Sequence, residues 1–268
     1  MRGEAIENYL KSIYQLSRAG GEARGEQATA ERVGTLELAQ RLGVTPASAS
    51  RMMQRLAGLG LVEHEQYRGA SLTPEGERVA LEIIRHHRLL ELYLHNVLGY
   101  PWDRVHEEAE RLEHYISEEF EARIFEALGR PVVDPHGDPI PTLEGTVPPE
   151  YAAGAATQQA LAQLAERGRA IVRQVPSSDP EKLRYLADIG LVPGAEVELL
   201  ERYPFGGGLR LRVGPGGQER IVGQDLATAI GVACVPATED GRTAASPQQD
   251  RASGRGRRRA RPDDRVLE

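Results

Sequence analysis

The spacing of apolar residues divides the chain into segments of different texture. In VHEEAERLEHYISEEFEAR (105–123), Val105, Ala109, Leu112, Ile116 and Phe120 recur at i, i+4, i+7, i+11 and i+15. At about 100° per residue this is one narrow stripe on a continuous helix, and the stripe is expected to face a core. His106, Glu110, Glu113 and His114 form a second band beside it, while Glu107, Arg111 and Glu118 point to solvent. The preceding ERVALEIIRHHRLLELYLHNVLGY (77–100) is a second strongly amphipathic helix. Residues 76–145 are therefore expected to be a helical domain.

Residues 1–75 read as three helices and a hairpin. The start, MRGEAIENYLKSIYQL, is an amphipathic helix without the apolar centre or cleavage site of a signal peptide. Thr35 is placed to cap a helix running to about Leu42, and Gly43 breaks it. Thr45 followed by Pro46 is an N-cap with proline at the first helical position. In the helix that follows, Ala49, Met52, Met53 and Leu56 share the inner face and leave Ala47, Ser48, Ser50, Arg51 and Gln54 outward. Two short extended runs, LVEHEQ and ASLTP, then join through Tyr67, Arg68 and Gly69 as a β wing with a cation and an aromatic at its tip. An αα hairpin beside a β hairpin is a common packing unit. A face of small and polar side chains followed by a basic wing favours a winged helix-turn-helix that reads double-stranded DNA. Thr45, Ser48, Ser50, Arg51, Gln54, Tyr67 and Arg68 are its candidate contacts, with Arg51 suited to guanine and Arg68 to a phosphate or a minor groove.

Beyond residue 129 the texture changes. Six prolines precede an Ala/Gln-rich stretch that has helical character, so 146–167 reads as a linker. AIVRQV, AEVELLERY, LRLRVG and ERIVG, broken by Gly and Pro, predict a small β-barrel over 168–236, with Gly206 to Gly208 as a hairpin turn. The polar stretch 237–268, including RGRRRAR, predicts a disordered tail. The expected fold is thus mostly α with small β.

Composition narrows the chemistry. With 268 residues and 40% hydrophobic content the chain can bury more than one core, and no run approaches the roughly 20 apolar residues of a membrane helix. A cytoplasmic protein that does not engage a membrane is expected. The net charge of −7 is unevenly spread. In 76–129, 12 Asp and Glu stand against 6 Lys and Arg, a balance of −6, whereas 1–75 has 9 of each. The acidic middle would attract cations. Cys234 is the single cysteine, so any metal ligands are nitrogen or oxygen.

Glu110, Glu113 and His114 stand at i, i+3 and i+4, with His106 one turn earlier, and His87 and Glu91 stand at i, i+4 on the other helix. Taken singly, each is more often a solvated side chain, and the acids could simply pair with Arg85, Arg88, Arg104 and Arg111. Six such residues beside two apolar stripes favour a metal, and carboxylates with imidazoles suit Mn²⁺ or Fe²⁺ and would also hold Zn²⁺ or Co²⁺. A metal-dependent hydrolase or a metal-binding adaptor are alternatives from other classes. No H-E-x-x-H, nucleophile elbow or phosphate-cradling glycine loop supports an enzyme.

The winged helix, HRLLE at 87–91, VHEEAERLEH at 105–114, the turn DPHGDPIP at 134–141 and the small β domain, in this order, resemble the iron- and manganese-dependent repressors typified by the diphtheria toxin repressor, over about residues 1–235. The resemblance implies a homodimer whose helical domain holds two metal sites, and a terminal SH3-like barrel related to ferrous-transport accessory domains. Carried over, the ancillary site is His87, Glu91 and His106, and the primary site is Glu110, Glu113 and His114, completed by Asn8. Glu110, where iron-type members carry Cys, points to Mn²⁺, with Fe²⁺ the alternative. Asn8 replaces a carboxylate or Met, and Lys11 stands where the manganese type has another acid. Arg88, an anion-site residue in the family, faces Asp134 and Asp138, which disfavour an anion. The implied function is metal-activated repression of metal-uptake genes at a palindromic operator, weakening below about pH 6 as histidines protonate.

Overall fold

In a computed structural model of the chain, the described residues are 3–22, 32–65, 67–155, 157–176 and 179–235. The expected tail at 237–268 lies outside them. Helix α1 (Glu4–Glu22) has Glu4 and Glu7 in its first turn, where the helix dipole favours acids, and it buries Leu10 and Ile13. Helix α2 (Thr35–Leu42) starts one residue differently from expectation. Gly34 takes the cap position without a side-chain bond, and the Thr35 hydroxyl turns inward to Met53 Sδ at 3.6 Å. Gly43, in the left-handed region at φ 64°, ends the helix.

Helix α3 (Pro46–Gly58) is capped as expected, since the Thr45 hydroxyl accepts from the Ser48 amide at 3.2 Å and Pro46 opens the first turn. Ala49, Met53 and Leu56 are fully buried against Leu10, Ile13 and Leu38. Strands β1 (Val62–Glu65) and β2 (Gly69–Leu72) pair antiparallel, Val62 opposite Leu72 and Glu65 opposite Gly69, and make the wing.

Helix α4 (Pro74–Asn96) joins two cores. Its 23 residues span about 35 Å at 1.5 Å each. Val79 and Ala80 enter the first core, while Leu89, Leu90 and Leu94 enter a second with Val105, Ala109, Ile124 and Ile140. The continuous helix expected over 105–123 is two helices, α5 (Val105–Leu112) and α6 (Glu118–Ala127). Ser117 accounts for the break, because its hydroxyl accepts from the Phe120 amide and caps α6. The apolar stripe is correspondingly broken: Val105 and Ala109 are buried, but Leu112 and Phe120 are 37% and 44% exposed. Glu113 and His114 consequently lie on a turn and not on a helix face.

The segment expected as a linker contains helix α7 (Pro149–Ala155) and strand β3 (Gln158–Ala160), so the Ala/Gln-rich stretch is partly strand. The terminal domain adds β4 (Arg169–Gln174), α8 (Pro180–Asp188), β5 (Glu196–Arg202), β6 (Leu209–Val213), β7 (Gln218–Val222), α9 (Gln224–Ala229) and β8 (Gly231–Cys234). Its strands form an open sheet in the order β3-β8-β4-β5-β6-β7, not the closed barrel that the strand spacing predicts. Helix α8 takes part in closing the core, burying Leu183 and Leu186 with Val172, Leu199 and Leu211. The glycines at 206–208 do make a turn between β5 and β6. Among the described residues no helix is long and apolar enough to cross a membrane.

Candidate metal centre and nucleic-acid interface

The outward face of α3 and the wing present the expected contacts to solvent. Thr45, Arg51 and Gln54 are exposed, Ser48 and Ser50 half-buried, and Tyr67 at the wing tip is 96% exposed. Arg68 is held at 3.0 Å by Glu65, an exposed pair that a phosphate would compete for easily. Thr45 has a structural duty as well, since its hydroxyl caps α3 and donates to Ser48 Oγ at 3.0 Å.

All seven candidate metal ligands gather where α1 meets α4, α5 and the turn after α5. His114 Nε2 is 2.9 Å from Asn8 Oδ1 and 3.6 Å from Glu113 Oε1, and its Nδ1 is 2.6 Å from Glu7 Oε2. In the tautomer that donates Nδ1–H to Glu7, the Nε2 lone pair is turned toward two oxygen acceptors. Three acceptors facing one another fit a cation. Glu7 was not among the expected residues, yet a carboxylate that orients a ligating imidazole is a common companion of a metal site.

Glu113 is fully buried and its two oxygens accept from Lys11 Nζ at 3.0 and 2.8 Å; Lys11 also reaches Glu110 Oε1 at 2.7 Å. Burial would raise the Glu110 carboxyl, but Lys11 outweighs it and holds the group below its ordinary value. His87 Nδ1 is 2.6 Å from Glu113 Oε2, while its Nε2 is 2.9 Å from Glu91 Oε1 and 3.0 Å from His106 Nδ1. His87 therefore bridges the expected primary and ancillary sets. Burial alone would depress its pKa, but Glu91 and Glu113 win, against Lys11, and raise it to about 9. Buried Glu91 lies well below the usual carboxylate range, because His87, His106 and His136 outweigh its desolvation.

The ancillary residues His87, Glu91 and His106 do meet, but the structure adds partners that helical spacing could not reveal. Asp134 and His136 from the loop after α6 come to Glu91, all three buried, with ligand atoms within 4.8 Å of one another. His136 Nδ1 is 3.8 Å from Glu91 Oε2 and has no hydrogen-bond partner among the described residues, while Nε2 lies 3.4 Å from the Trp102 carbonyl. An Nε2–H directed at that carbonyl leaves the buried Nδ1 lone pair directed at carboxylates, again an arrangement that fits a divalent ion. Asp134 Oδ1 is used by the amides of His136 and Asp138 at 2.8 and 2.9 Å. Burial, then Asp138 and Glu91, push Asp134 well above its ordinary value. Arg88 lies 3.9 and 3.8 Å from Asp134 and Asp138, so as expected it faces carboxylates.

His86, also not among the expected residues, positions Glu113. His86 Nδ1 lies 3.1 Å from the Glu113 carbonyl and Nε2 lies 3.2 Å from Glu121, which also pairs with Arg85. Burial opposes the charge on His86, but Glu121 and that carbonyl raise its pKa, so the imidazole can donate both protons. The terminal domain touches the same region. The Val175 amide donates to the His136 carbonyl at 3.0 Å, and Gln174 Nε2 donates to Asp138 Oδ1 at 2.6 Å. Gly137, at φ +91°, lies so close to Arg173 that a Cβ would collide with its carbonyl oxygen.

Three segments match known families: residues 1–70 the N-terminal DNA-binding domain of iron-dependent repressors, 73–142 their metal-binding and dimerisation domain, and 159–234 the FeoA domain. The chain is 34% identical over 235 residues to the iron-dependent repressor IdeR of Mycobacterium tuberculosis, covering 85% of this chain and 96% of that one. It is 29% identical over 203 residues to the diphtheria toxin repressor of Corynebacterium diphtheriae, covering 74% and 85%. Among solved structures, a manganese-dependent transcriptional repressor in complex with manganese superposes with a TM-score of 0.72 at 36% identity, covering 86% of this chain and all of that one. ScaR with bound Cd²⁺ gives 0.67 at 30% identity, covering 86% and 99%. The hydrolase and adaptor alternatives are not favoured by these relatives. With a DNA-binding domain, a metal-binding and dimerisation domain and a FeoA domain in that order, the chain belongs to the iron-dependent repressor family, and is a metal-dependent transcriptional repressor and not an enzyme.

Proposed function

We propose that the chain is a Mn²⁺-activated repressor of metal-uptake genes that binds a palindromic operator as a homodimer. The observation that carries this reading is the placement of Asn8 on α1, in the DNA-binding half, against His114 and Glu113, in the helical half, with acceptor atoms turned toward one another. A divalent ion there would supply positive charge that ties the two halves. Asn8, Glu113 and His114 form the first site, and Glu110 stands beside it, its Oε1 2.7 Å from Lys11 and 3.8 Å from His106 Nε2. Glu91 is the centre of the second, with Asp134 and His136, and with His87 and His106 on its other side. Glu110, a carboxylate and not a thiolate, favours Mn²⁺ over Fe²⁺.

The residues then divide the work. Glu7 orients His114, His86 holds the turn carrying Glu113, and α1 transmits the setting of that turn to α3 through α2, which packs against both. Two copies of α3 and the wing, related by a two-fold axis, match half-sites on one face of a duplex. Thr45, Ser48, Ser50, Arg51 and Gln54 meet base edges and phosphates, with Tyr67 and Arg68 at the flank. The exposed Leu98, Leu112, Tyr115 and Phe120 on the helical domain offer the apolar surface that a dimer would cover. A ligand needs only a few kcal/mol of preference for the correctly spaced state to switch operator occupancy.

The test is selection of sheared genomic DNA by the full chain with Mn²⁺, with Fe²⁺ under anaerobic conditions, and with chelator. One palindromic sequence enriched with Mn²⁺ is the expected result. Equal recovery in chelator would refute metal activation, and enrichment with Fe²⁺ alone would refute the choice of metal.

A further inference from the structure

Lys11 is the one residue of this cluster with no place in a metal-ligand set. It is 4% exposed, and its ammonium lies 2.7 to 3.0 Å from three carboxylate oxygens of Glu110 and Glu113 and 3.2 Å from His87 Nδ1. Those four atoms are the donors a divalent ion would use. An ammonium is a compact point charge with three donors, and at the end of a four-carbon stem it can hold this position only because α1 delivers it there. The ion position between Asn8, Glu113 and His114 draws on the same Glu113 Oε1, which is 3.0 Å from Lys11 Nζ and 3.6 Å from His114 Nε2, so Glu113 is shared between a fixed cation and an exchangeable one.

We propose that Lys11 is a tethered cation that fills one of two adjacent cation positions at the contact of α1 with α5, so that this contact takes a single divalent ion. The inference rests on reading that contact as a metal site. Two consequences follow from charge alone. The built-in cation already links the DNA-binding half to Glu110 and Glu113 before any metal arrives. It also repels the incoming ion and competes for Glu113, which sets the site's affinity lower than its carboxylates and imidazoles would otherwise give. Lys11 thus determines both stoichiometry and threshold, as a specificity-determining residue that is not itself a ligand.

The experiment compares full-length wild-type protein with Lys11→Glu and Lys11→Gln. Mn²⁺ per protomer is counted by elemental analysis after equilibrium dialysis, and Mn²⁺ pairs are detected by electron paramagnetic resonance. Lys11→Glu should bind one more Mn²⁺ per protomer than wild type and show an exchange-coupled pair that wild type lacks. Lys11→Gln should keep the wild-type count but half-saturate at roughly tenfold lower Mn²⁺ or less, because the competing charge is gone. An exchange-coupled pair in wild type, or a folded Lys11→Glu with no extra ion, would overturn the proposal. Should Lys11→Glu not fold, unchanged or weaker Mn²⁺ binding by Lys11→Gln overturns it on its own. Wild-type protein that takes up no Mn²⁺ would instead refute the underlying metal reading, a result distinct from uptake that Lys11 does not control.

Discussion

Removing Glu113 should unsettle the metal-free protein, not only its response to metal. Its carboxylate is fully buried and accepts from Lys11 at 2.8 and 3.0 Å, with His87 Nδ1 at 2.6 Å. In Glu113→Ala, Lys11 stays buried with only Glu110, 40% exposed, to balance it. Breaking a buried ion pair by deleting one partner costs about 3–5 kcal/mol, and the surviving Glu110 contact places the expected loss near the lower end, at about 3 kcal/mol. For a structured region of this size that lowers Tm by about 6–12 °C. The assay is thermal unfolding followed by circular dichroism in chelator, with Asn8→Ala as control. Asn8 is a proposed ligand but bears no charge, so its loss should move Tm by less than about 2 °C. The double variant Lys11→Met, Glu113→Gln should recover part of the loss, since it removes both charges. A Glu113→Ala protein that melts within about 2 °C of wild type in chelator would refute the claim that this pair holds the two halves together.

Other perturbations reach different parts of the site. His87, raised to about 9 from an ordinary 6.5, stabilises the metal-free protein fully below pH 6.5 and loses that contribution as pH rises through about 9. Coordination displaces the same proton, so Mn²⁺ affinity measured by calorimetry should climb up to about pH 9, a higher window than the pH 6 that unperturbed histidines predict, and His87→Gln should flatten the climb. Trp102, the single tryptophan, stacks on His136 with ring centroids 5.4 Å apart, so Mn²⁺ at the second site should change its fluorescence, and His136→Ala should abolish the change. Arg51→Glu should weaken binding to the selected operator by about 10- to 100-fold, whereas Arg68→Ala should chiefly lower the slope of log affinity against log salt by about one; an unchanged Arg51→Glu would remove α3 from the groove. Gly137→Ala should cost at least about 1–2 kcal/mol of local stability and expose the loop at 134–138 to proteolysis, because its φ and the Arg173 carbonyl both exclude a side chain.

What the sequence made legible was whatever depends on local spacing. The Thr45-Pro46 start of α3, the Gly43 stop, the wing and the pairing of His87 with Glu91 at i, i+4 are all set within a few residues, and the structure has them. The break between α5 and α6 was also written locally, in the Ser117 cap with three acids in the turn that follows, but a good apolar period across it concealed the signal. Helix α8 had its own mark, Asp179-Pro180, whose carboxylate accepts from the amides of Glu181 and Lys182; its position among strands drew attention to alternation instead. Barrel closure was not legible, because it depends on whether β7 and β3 meet, and strand spacing is the same for an open sheet.

The residues that spacing missed share a different cause. Glu7, Lys11, Asp134 and His136 reach the site from elements distant in sequence, so no periodicity on one helix contains them. Their roles also depend on how charge is compensated, which only the assembled site shows. Glu91 is held ionised by three imidazoles, Glu113 is contacted by Lys11 and His87, and His87 stands between both carboxylates. An added positive charge at either carboxylate must therefore change what the shared imidazole experiences. Proton loss from His87 is the step common to both positions, so occupancy of one site should favour the other even though the donors on their outer sides, Asn8 and His136, come from different domains. Calorimetric titration of His87→Gln tests this directly: two independent Mn²⁺ isotherms, in place of the coupled one expected of the wild type, are what a bridging imidazole requires.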